Sequence, residues 1–201
     1  MVTYKILQVG DPVLRRQARP LERDEILAPA TQELILRMRD TMRDAPGVGL
    51  AAPQIGESIQ LVVIEDPPQA HAGMTPAQLA ERERNAVAFH VLVNPRLTVE
   101  DGDHVIAYEG CLSLAGFSMI VPRWRRVRVD ALDEHGEPVV KTATGWYARI
   151  LQHEIDHLRG VVCCDRMEPR SLTTQDNHLR YWRNMPVDAA LATLGPMPTD
   201  A

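Results

Sequence analysis

The sequence predicts an α+β fold in which mostly antiparallel β-sheets surround one central helix within a single domain. The chain has 201 residues, of which 45% are hydrophobic, so it can bury one good core and needs no second domain. Several strands are predicted between residues 59 and 142, with one helix before them and another after them. The later helix carries the motif His153-Glu154-Ile155-Asp156-His157.

The first helix is predicted over residues 25–44. Leu34, Met38 and Met42 recur there at near-helical spacing, which indicates an amphipathic helix. Ala45-Pro46-Gly47 ends the pattern. The two methionines are assigned to the core, because no other feature of this stretch points to a cleft.

The strand predictions rest on short apolar or alternating runs that are bounded by turn residues. They cover residues 59–65, 89–93, 99–108, 120–121, 127–132 and 138–142. A polar segment, residues 66–88, separates the first two strands. Within it, Thr75 followed by Pro76 is a good helix start, so a short helix is expected there.

Start and stop signals frame the later helix, which is predicted over about 145–159. Thr144 is a favourable N-cap, and Gly160 is favourable just beyond the C-terminus. Apolar residues, among them Leu151 and Ile155, lie on more than one side of it. The helix is therefore expected to be central and largely buried, with its polar residues facing a cleft.

Two histidines one helical turn apart can bind one divalent metal ion. His153 and His157 share a helix face. Glu154 is offset by about 100° around the axis, so it can reach a water on the metal without being a ligand. A partly exposed helix with a solvated glutamate would carry the same letters. Burial favours the metal site, because buried His and Glu side chains without partners are costly.

A catalytic metal usually takes three protein ligands, and two cysteines compete for the third position. Cys163 lies ten residues after His153, which is metzincin spacing with Cys in place of the third His and would indicate a zinc endopeptidase. However, Val161-Val162-Cys163-Cys164 is predicted as a core strand, where a free cysteine acts as a small hydrophobe. Cys111 follows Gly110 in a stretch of irregular backbone. The residues favour Cys111 and leave both open.

Three separated blocks resemble the signature of the peptide deformylase family. They are Gly47-Val48-Gly49-Leu50-Ala51-Ala52-Pro53-Gln54, Glu109-Gly110-Cys111-Leu112-Ser113 and Gln152-His153-Glu154-Ile155-Asp156-His157-Leu158. Their order and separations match, and the likeness extends from about Ile6 to Met167. The resemblance implies a catalytic domain over residues 1–170 and a C-terminal extension over 171–201. In that extension a helix is predicted near 176–183, and the tail over 186–201 is expected to be mobile.

The resemblance also implies the reaction, which removes the N-formyl group from N-terminal formylmethionine of newly made polypeptides and releases formate. The metal ligands that it implies are Cys111, His153 and His157. Glu154 is then the general base and acid. The Gln54 side chain and the Leu112 backbone N–H stabilise the oxyanion, while Gly49 contacts substrate through its backbone. A non-catalytic binding module is the alternative, which the presence of all these residues disfavours.

One divalent metal ion per chain is expected as the cofactor. A thiolate and two imidazoles suit Fe²⁺, Zn²⁺, Co²⁺ or Ni²⁺ better than Mg²⁺. Fe²⁺ is expected as the native ion, and Zn²⁺, Ni²⁺ or Co²⁺ as substitutes.

The family also needs an apolar pocket for the methionine side chain. Helix geometry and motif position give Val48, Phe117, Trp146 and Ile150 as its candidates. Core packing is the alternative for each of them. Asp156 belongs to the family motif, and it is expected either to support the site or to be a surface charge.

Charge and composition exclude several classes of function. A net charge of −5 argues against a general nucleic-acid binder. Arg123, Arg125, Arg126 and Arg128 form a basic run, but the alternation over 126–131 predicts a strand whose charges lie on a solvated face. Three cysteines do not indicate a disulfide framework.

The expected location is the bacterial cytoplasm, with a processed organellar form as the alternative. The sequence shows neither a targeting segment nor an apolar run of membrane-spanning length. N-formylmethionyl nascent peptides are the expected partners, and the ribosome near its exit tunnel is a further candidate. Neither a membrane nor a specific nucleic-acid sequence is expected as a partner.

Overall fold

Two antiparallel sheets form the framework in the computed structural model, which describes residues 3–196. The strands are β1 Gly49–Ala51, β2 Leu61–Asp66, β3 Val87–Val99, β4 His104–Cys111, β5 Leu114–Trp124, β6 Arg126–Leu132, β7 Pro138–Thr144 and β8 Thr173–Thr174. The larger sheet has the order β1-β2-β3-β6-β7, and the smaller one β4-β5-β8. Every neighbouring pair is antiparallel, which confirms the predicted α+β class.

Helices cover both faces of the larger sheet. They are α1 Arg23–Leu27, α2 Pro29–Asp44, α3 Pro76–Glu81, α4 Gly145–Leu158, α5 Gln175–Asn177 and α6 Val187–Leu194. A π-helical turn, His178–Trp182, continues α5. Short 3-10 turns cover Pro12–Arg15, Ala52–Ile55, Pro68–His71, Cys163–Asp165 and Pro169–Ser171.

Alternating side chains on β2 divide the core into two parts. Val62 and Ile64 pack in one cluster with the apolar residues of α4. Leu61 and Val63 pack in another with Met38 and its neighbours on α2, because successive strand residues point to opposite faces. Since α4 also packs against β5 of the smaller sheet, it is the central helix that the sequence predicted.

The helix predicted over residues 25–44 is divided in two, so that prediction was wrong in its continuity. Ala28 is extended, with φ −61° and ψ 139°, and Pro29 begins α2. The residue before a proline is disfavoured in the helical region because its backbone clashes with the proline ring. Both methionines of α2 are fully buried, which confirms their assignment to the core.

Three strand predictions had the wrong boundaries, and the one over 120–121 is only the middle of the much longer β5. The strand predicted over 99–108 joins the end of β3 to the start of β4 across a turn that contains Asp101, Gly102 and Asp103, residues that favour turns. The strand predicted over 89–93 is part of the longer β3. That strand continues past a register shift between Val93 and Arg96, where the non-glycine residue Asn94 has φ 52°; such bulges let an antiparallel strand bend and continue.

The helices predicted in the 66–88 segment and over 145–159 are both present in the structure. In the 66–88 segment, the Thr75 hydroxyl accepts the Gln78 N–H at the start of α3, so the short helix there is confirmed. Helix α4 closely matches the predicted range, although the Thr144 side chain makes no capping hydrogen bond. A core strand was expected at Cys163, but the structure has a 3-10 turn there. The Asp165 carboxylate accepts the Val162 backbone N–H and so stabilises this turn.

The C-terminal segment contains more regular structure than the sequence indicated. A helical stretch begins at Gln175, close to the range predicted for it. Helix α6 lies within the range expected to be a mobile tail, and its Ala190 packs against Tyr108 and Ile120. Residues 197–201 of that tail lie outside the described residues. The division at residue 170 stays a prediction.

Candidate metal centre and active site

Three donor side chains converge where β4 ends beside α4. One atom each from Cys111, His153 and His157 lies within 4.8 Å of the other two. The Cys111 Sγ is 3.3 Å from the His157 Nε2. Both histidines lie on one face of α4, one turn apart, because residues i and i+4 are neighbours on a helix. This cluster matches the metal ligands that the sequence resemblance implied.

A break in the β4–β5 ladder brings the cysteine to the helix. The register shifts between Gly110 and Cys111, so that Cys111 pairs with Leu114 across a tight connection. Such an irregularity re-aims a side chain at the end of a strand. The irregular backbone expected at Cys111 is therefore confirmed.

Glu109 is the buried anion behind the cluster. It is 5% exposed and accepts two hydrogen bonds from Arg123, at 2.9 and 3.0 Å, and one from Arg149 at 2.6 Å. Its Oε2 also lies 3.0 Å from the His153 Nδ1. A carboxylate on the far nitrogen of a ligand histidine fixes the ring and its tautomer, so Glu109 turns the other nitrogen, Nε2, towards the cluster.

Two arginines, buried Arg123 and exposed Arg166, extend this network through Asp156. Arg123 also bonds Asp156, which accepts a bidentate pair from Arg166 at 2.7 and 2.8 Å. Although burial opposes it, Arg123 and His153 hold the pKa of Glu109 well below its usual range. Asp156 thus supports the site by binding Arg123, which in turn holds Glu109; support of the site was one of the two roles expected for it. Arg123 is 3% exposed and so differs from the rest of the basic run, because Arg125, Arg126 and Arg128 are exposed.

The electrostatics of the cluster fit a cation. Burial and the neighbouring His153 hold the pKa of His157 well below its usual range, so that this imidazole is a neutral donor. The neighbouring Cys163 thiol and burial raise the pKa of Cys111, so its thiolate needs a compensating positive charge. Burial opposes protonation of His153, but Glu109 raises its pKa to about 9; a bound cation would displace that proton. Cysteine and histidine donors together suit a transition metal.

Glu154 faces the same site from the next position on α4. Burial raises its pKa to about 7, and its Oε2 is buried without a hydrogen-bond partner within residues 3–196. A Cβ on Gly49 would lie 2.2 Å from the Glu154 Oε1. Only glycine leaves room for the carboxylate at this distance. Gly49 therefore has a steric reason to be glycine, besides the substrate contact that the resemblance implied.

Gln54 is oriented by its own backbone. Its Oε1 accepts the Ala51 N–H at 2.9 Å, which leaves the amide nitrogen to donate. That Nε2 donates to the Ser113 hydroxyl at 3.2 Å and lies 3.7 Å from the Cys111 Sγ. Gln54 is 1% exposed, so its N–H groups are directed into the site and away from bulk water.

A cavity of about 600 Å³ opens onto the cluster. Ten of the residues singled out from the sequence line it: Val48, Gly49, Gln54, Cys111, Leu112, Phe117, Trp146, Ile150, His153 and Glu154. His157 lies behind them against Cys111. Cys163 is buried beside Cys111 in the same apolar cluster, but it neither lines this cavity nor belongs to the donor cluster. The structure thus brings the predicted site together and leaves out the competing third ligand.

Sequence reasoning missed the supporting charges of the site. Glu109 was quoted within a motif without a role, and Arg149 was not considered. Glu109 is separated in sequence from its partners Arg123 and Arg149 by 14 and 40 residues, so motif spacing gave no signal of these contacts. One signal was present in the sequence: charged residues lie beside motifs that are expected to be buried. A buried charge is costly unless it is paired, so their position indicates that these residues form ion pairs.

The fold and site define a metal-dependent hydrolase: a Cys/His/His cluster, an adjacent buried carboxylate and an apolar cavity. The family profile described as polypeptide deformylase matches residues 3–172. Peptide deformylase 3 of Streptomyces avermitilis is 44% identical over 94% of this chain and 83% of its own length. The mitochondrial peptide deformylase of Homo sapiens is 44% identical over 88% of this chain and 71% of its own length.

Solved structures agree with the sequence relatives. A class I type b peptide deformylase from Acinetobacter baumannii, with Met-Ala-Ser bound, has a TM-score of 0.73 at 29% identity, covering 83% of this chain and 99% of its own. The peptide deformylase of Synechococcus elongatus in complex with actinonin has a TM-score of 0.66 at 37% identity, covering 82% and 79%.

This chain belongs to the peptide deformylase family. It is a metallohydrolase that removes the N-formyl group from nascent polypeptides. The relatives include bacterial, mitochondrial and chloroplast forms. Within residues 3–196, each helix is either too short or too polar to span a lipid bilayer.

Proposed function

We propose that this chain deformylates N-terminal formylmethionine with the residues that line its central cavity. One observation carries this assignment to residues: Cys111 and His153 of the donor cluster line one apolar cavity together with Gln54 and Glu154, whose Oε2 has no hydrogen-bond partner within residues 3–196. Cys111, His153 and His157 would hold a single divalent ion, Fe²⁺ in the native enzyme, with Zn²⁺, Ni²⁺ or Co²⁺ as substitutes. When bound, the ion supplies Lewis acidity, which lowers the pKa of water and polarises a carbonyl oxygen.

Glu154 moves the proton in this proposal. Its carboxylate accepts a proton from the water that adds to the formyl carbon, and then donates it to the departing amine nitrogen. The carbon–nitrogen bond breaks, and formate and the free amino terminus are released. Glu154 is buried, and its Oε2 accepts no hydrogen bond from the residues that the structure describes, so none of their groups has to be displaced before it takes the proton.

Gln54 and the backbone N–H of Leu112 stabilise the negative charge that develops on the formyl oxygen. The Gln54 amide nitrogen already points at the cluster, since its oxygen is held by Ala51. A donor that is oriented beforehand costs no reorganisation when the charge appears. Gly49 contributes backbone contacts to the peptide from β1, beside Glu154.

The methionine side chain enters the apolar part of the cavity. Val48, Phe117, Trp146 and Ile150 line it, and their nonpolar surfaces fit a thioether side chain. The Acinetobacter baumannii relative was solved with Met-Ala-Ser bound, a peptide that begins with methionine. We propose that this chain likewise accepts peptides whose first residue is methionine.

Nascent chains that emerge from the ribosome supply this substrate, so we also propose that the enzyme acts near the exit tunnel. The bacterial cytoplasm is the proposed location, and a processed organellar form is the alternative that the mitochondrial and chloroplast relatives offer. Co-sedimentation of the protein with translating ribosomes tests the first point.

Formate release tests the proposed function most directly. Protein purified without oxygen, which protects a thiolate ligand from oxidation, is mixed with formyl-Met-Ala-Ser. We expect formate and free Met-Ala-Ser in equal amounts. Acetyl-Met-Ala-Ser is the matched control and should stay intact. Cleavage between amino acids, or no formate from protein that contains a full complement of metal, would contradict the proposal.

A further inference from the structure

The 66–88 segment, which the proposed chemistry does not use, packs against the start of α4. The backbone N–H of Trp146 donates to the Arg82 carbonyl at 3.0 Å. Gly145 has φ 57°, and a Cβ there would lie 2.4 Å from the Cβ of Glu83. Only glycine tolerates both the positive φ and this close approach. The segment and the first turn of α4 are therefore fitted to one another.

Trp146 lies between this segment and the cavity. The guanidinium carbons of Arg84 and Arg82 are 5.0 and 5.3 Å from its ring centroid, and that of Arg149 is at 6.0 Å. These distances allow cation–π attraction. The indole Nε1 is buried and has no hydrogen-bond partner in the part of the chain that the structure describes. Packing and cations, and not a hydrogen bond, fix the position of the ring.

The two arginines of the segment are held in different ways. Arg84 donates to both oxygens of Asp66, at 2.8 and 2.7 Å, and Asp66 is fully buried. Arg82 forms no ion pair with any carboxylate within residues 3–196. Burial and the like charge of Arg84 lower the pKa of Arg82. The aromatic face of Trp146 compensates part of this unfavourable arrangement, since a ring quadrupole attracts cations.

We infer that the 66–88 segment sets the shape of the methionine pocket, with Arg82 and Arg84 clamping Trp146 from outside the cavity. Neither arginine lines the cavity itself, so both are positioning residues that act through the indole. This inference rests on the proposed function, which places Trp146 in the substrate pocket. The clamp governs which side chains the pocket accepts, and it leaves proton transfer by Glu154 in place.

Two variants remove the clamp. Arg82→Met removes one cation without uncovering a buried carboxylate. The double variant Asp66→Asn/Arg84→Gln removes both charges of the buried pair, so that neither is left unpaired. Arg125→Gln is the matched control, because it breaks the pair between Arg125 and Glu83, which attaches the same segment without touching Trp146.

The measurement is kcat and KM for formyl tripeptides that begin with Met, norleucine, Ala or Phe. We expect the preference for Met over Ala and Phe, as a ratio of kcat/KM, to fall about 3- to 10-fold in both clamp variants. The change should appear mainly in KM. Arg125→Gln should keep the wild-type ratio.

A folded Arg82→Met protein with the wild-type ratio would overturn the inference, as would an equal fall of kcat for every substrate. This variant decides the question even when the double variant does not fold, and a melting transition confirms its fold. If the unaltered protein releases no formate from any of the peptides, the proposed function fails and the inference with it. Formate release with unaltered selectivity in the variants overturns the inference alone.

Discussion

The two walls of the cavity are built in opposite ways. The metal wall, which comprises Cys111, His153, Glu154 and His157, lies against buried charges such as Glu109. The substrate wall comprises Val48, Phe117, Trp146 and Ile150. Phe117 is 40% exposed, and Trp146 is held by arginines from a separate segment.

The metal wall therefore has a fixed geometry, whereas the shape of the substrate wall is adjustable. Ligands and a general base must be held within fractions of an ångström, and a buried network with satisfied hydrogen bonds can do so. A pocket for one side chain tolerates larger displacements, because apolar contacts have little directionality. We therefore expect substitutions on the metal wall to cost far more activity than those on the substrate wall.

The largest effect is expected at the third ligand, where Cys111→Ser and Cys163→Ser are compared. Cys111→Ser should lose its metal and fall to the activity of chelator-treated wild-type protein, since a hydroxyl is a poor replacement for a thiolate. Cys163→Ser should keep both metal and activity. Metal content per folded chain and formate release check this. If only the Cys163 variant loses metal, the ligand set is wrong and the endopeptidase alternative returns.

A loss of about 10²–10⁴-fold in kcat is expected for Glu154→Gln, which keeps the shape of the side chain but cannot take a proton. The metal content should equal that of the unaltered protein, because Glu154 is offset from the ligand face. Elemental analysis beside steady-state kinetics makes the comparison. A variant that loses its metal would instead show that Glu154 is a ligand.

Glu109→Gln tests the support of the metal wall. It leaves the charges of Arg123 and Arg149 buried with less compensation, so we expect the free energy of unfolding to fall by about 3–5 kcal/mol. Metal affinity should weaken about 10- to 100-fold. Denaturant melts and metal competition measure the two effects. Asp130→Asn, at the exposed pair with Arg128, is the control and should change neither; equal effects in both variants would refute the special role of the buried network.

The smallest effect is expected at the substrate wall. Phe117→Ala should raise KM for formyl-Met-Ala-Ser by about 2- to 10-fold, because a partly exposed ring contributes less than a buried one. Its kcat should change less than its KM. Initial rates over a range of peptide concentrations separate the two. A large fall in kcat at unchanged KM would move Phe117 from the pocket to the chemistry.

The metal wall was largely predictable from sequence because its residues lie in local patterns. One helical turn brings His153 and His157 together whatever else the chain does. The break before α2 was also readable, since Pro29 disfavours a helical Ala28. The turn around Gly102 was equally readable, because its flanking Asp residues favour turns.

The supporting charges could not be read from sequence, because they depend on strand pairing. Arg123 lies in a run of arginines that resembles a solvated face, and only its register opposite Val105 on β4 turns it inwards to Glu109. The contacts of Arg82 and Arg84 with Trp146 likewise join segments that are far apart in sequence. Local periodicity carries no information about such pairs.

Helix α6 has a practical consequence for shortened forms of this protein. Its Ala190 is fully buried against Tyr108 and Ile120, on the hairpin whose first strand ends at Cys111. A chain cut after residue 172, where the family profile ends, would expose these apolar side chains to water. Such a surface favours self-association. Truncations intended for crystallisation or inhibitor screening are therefore best made after Leu194.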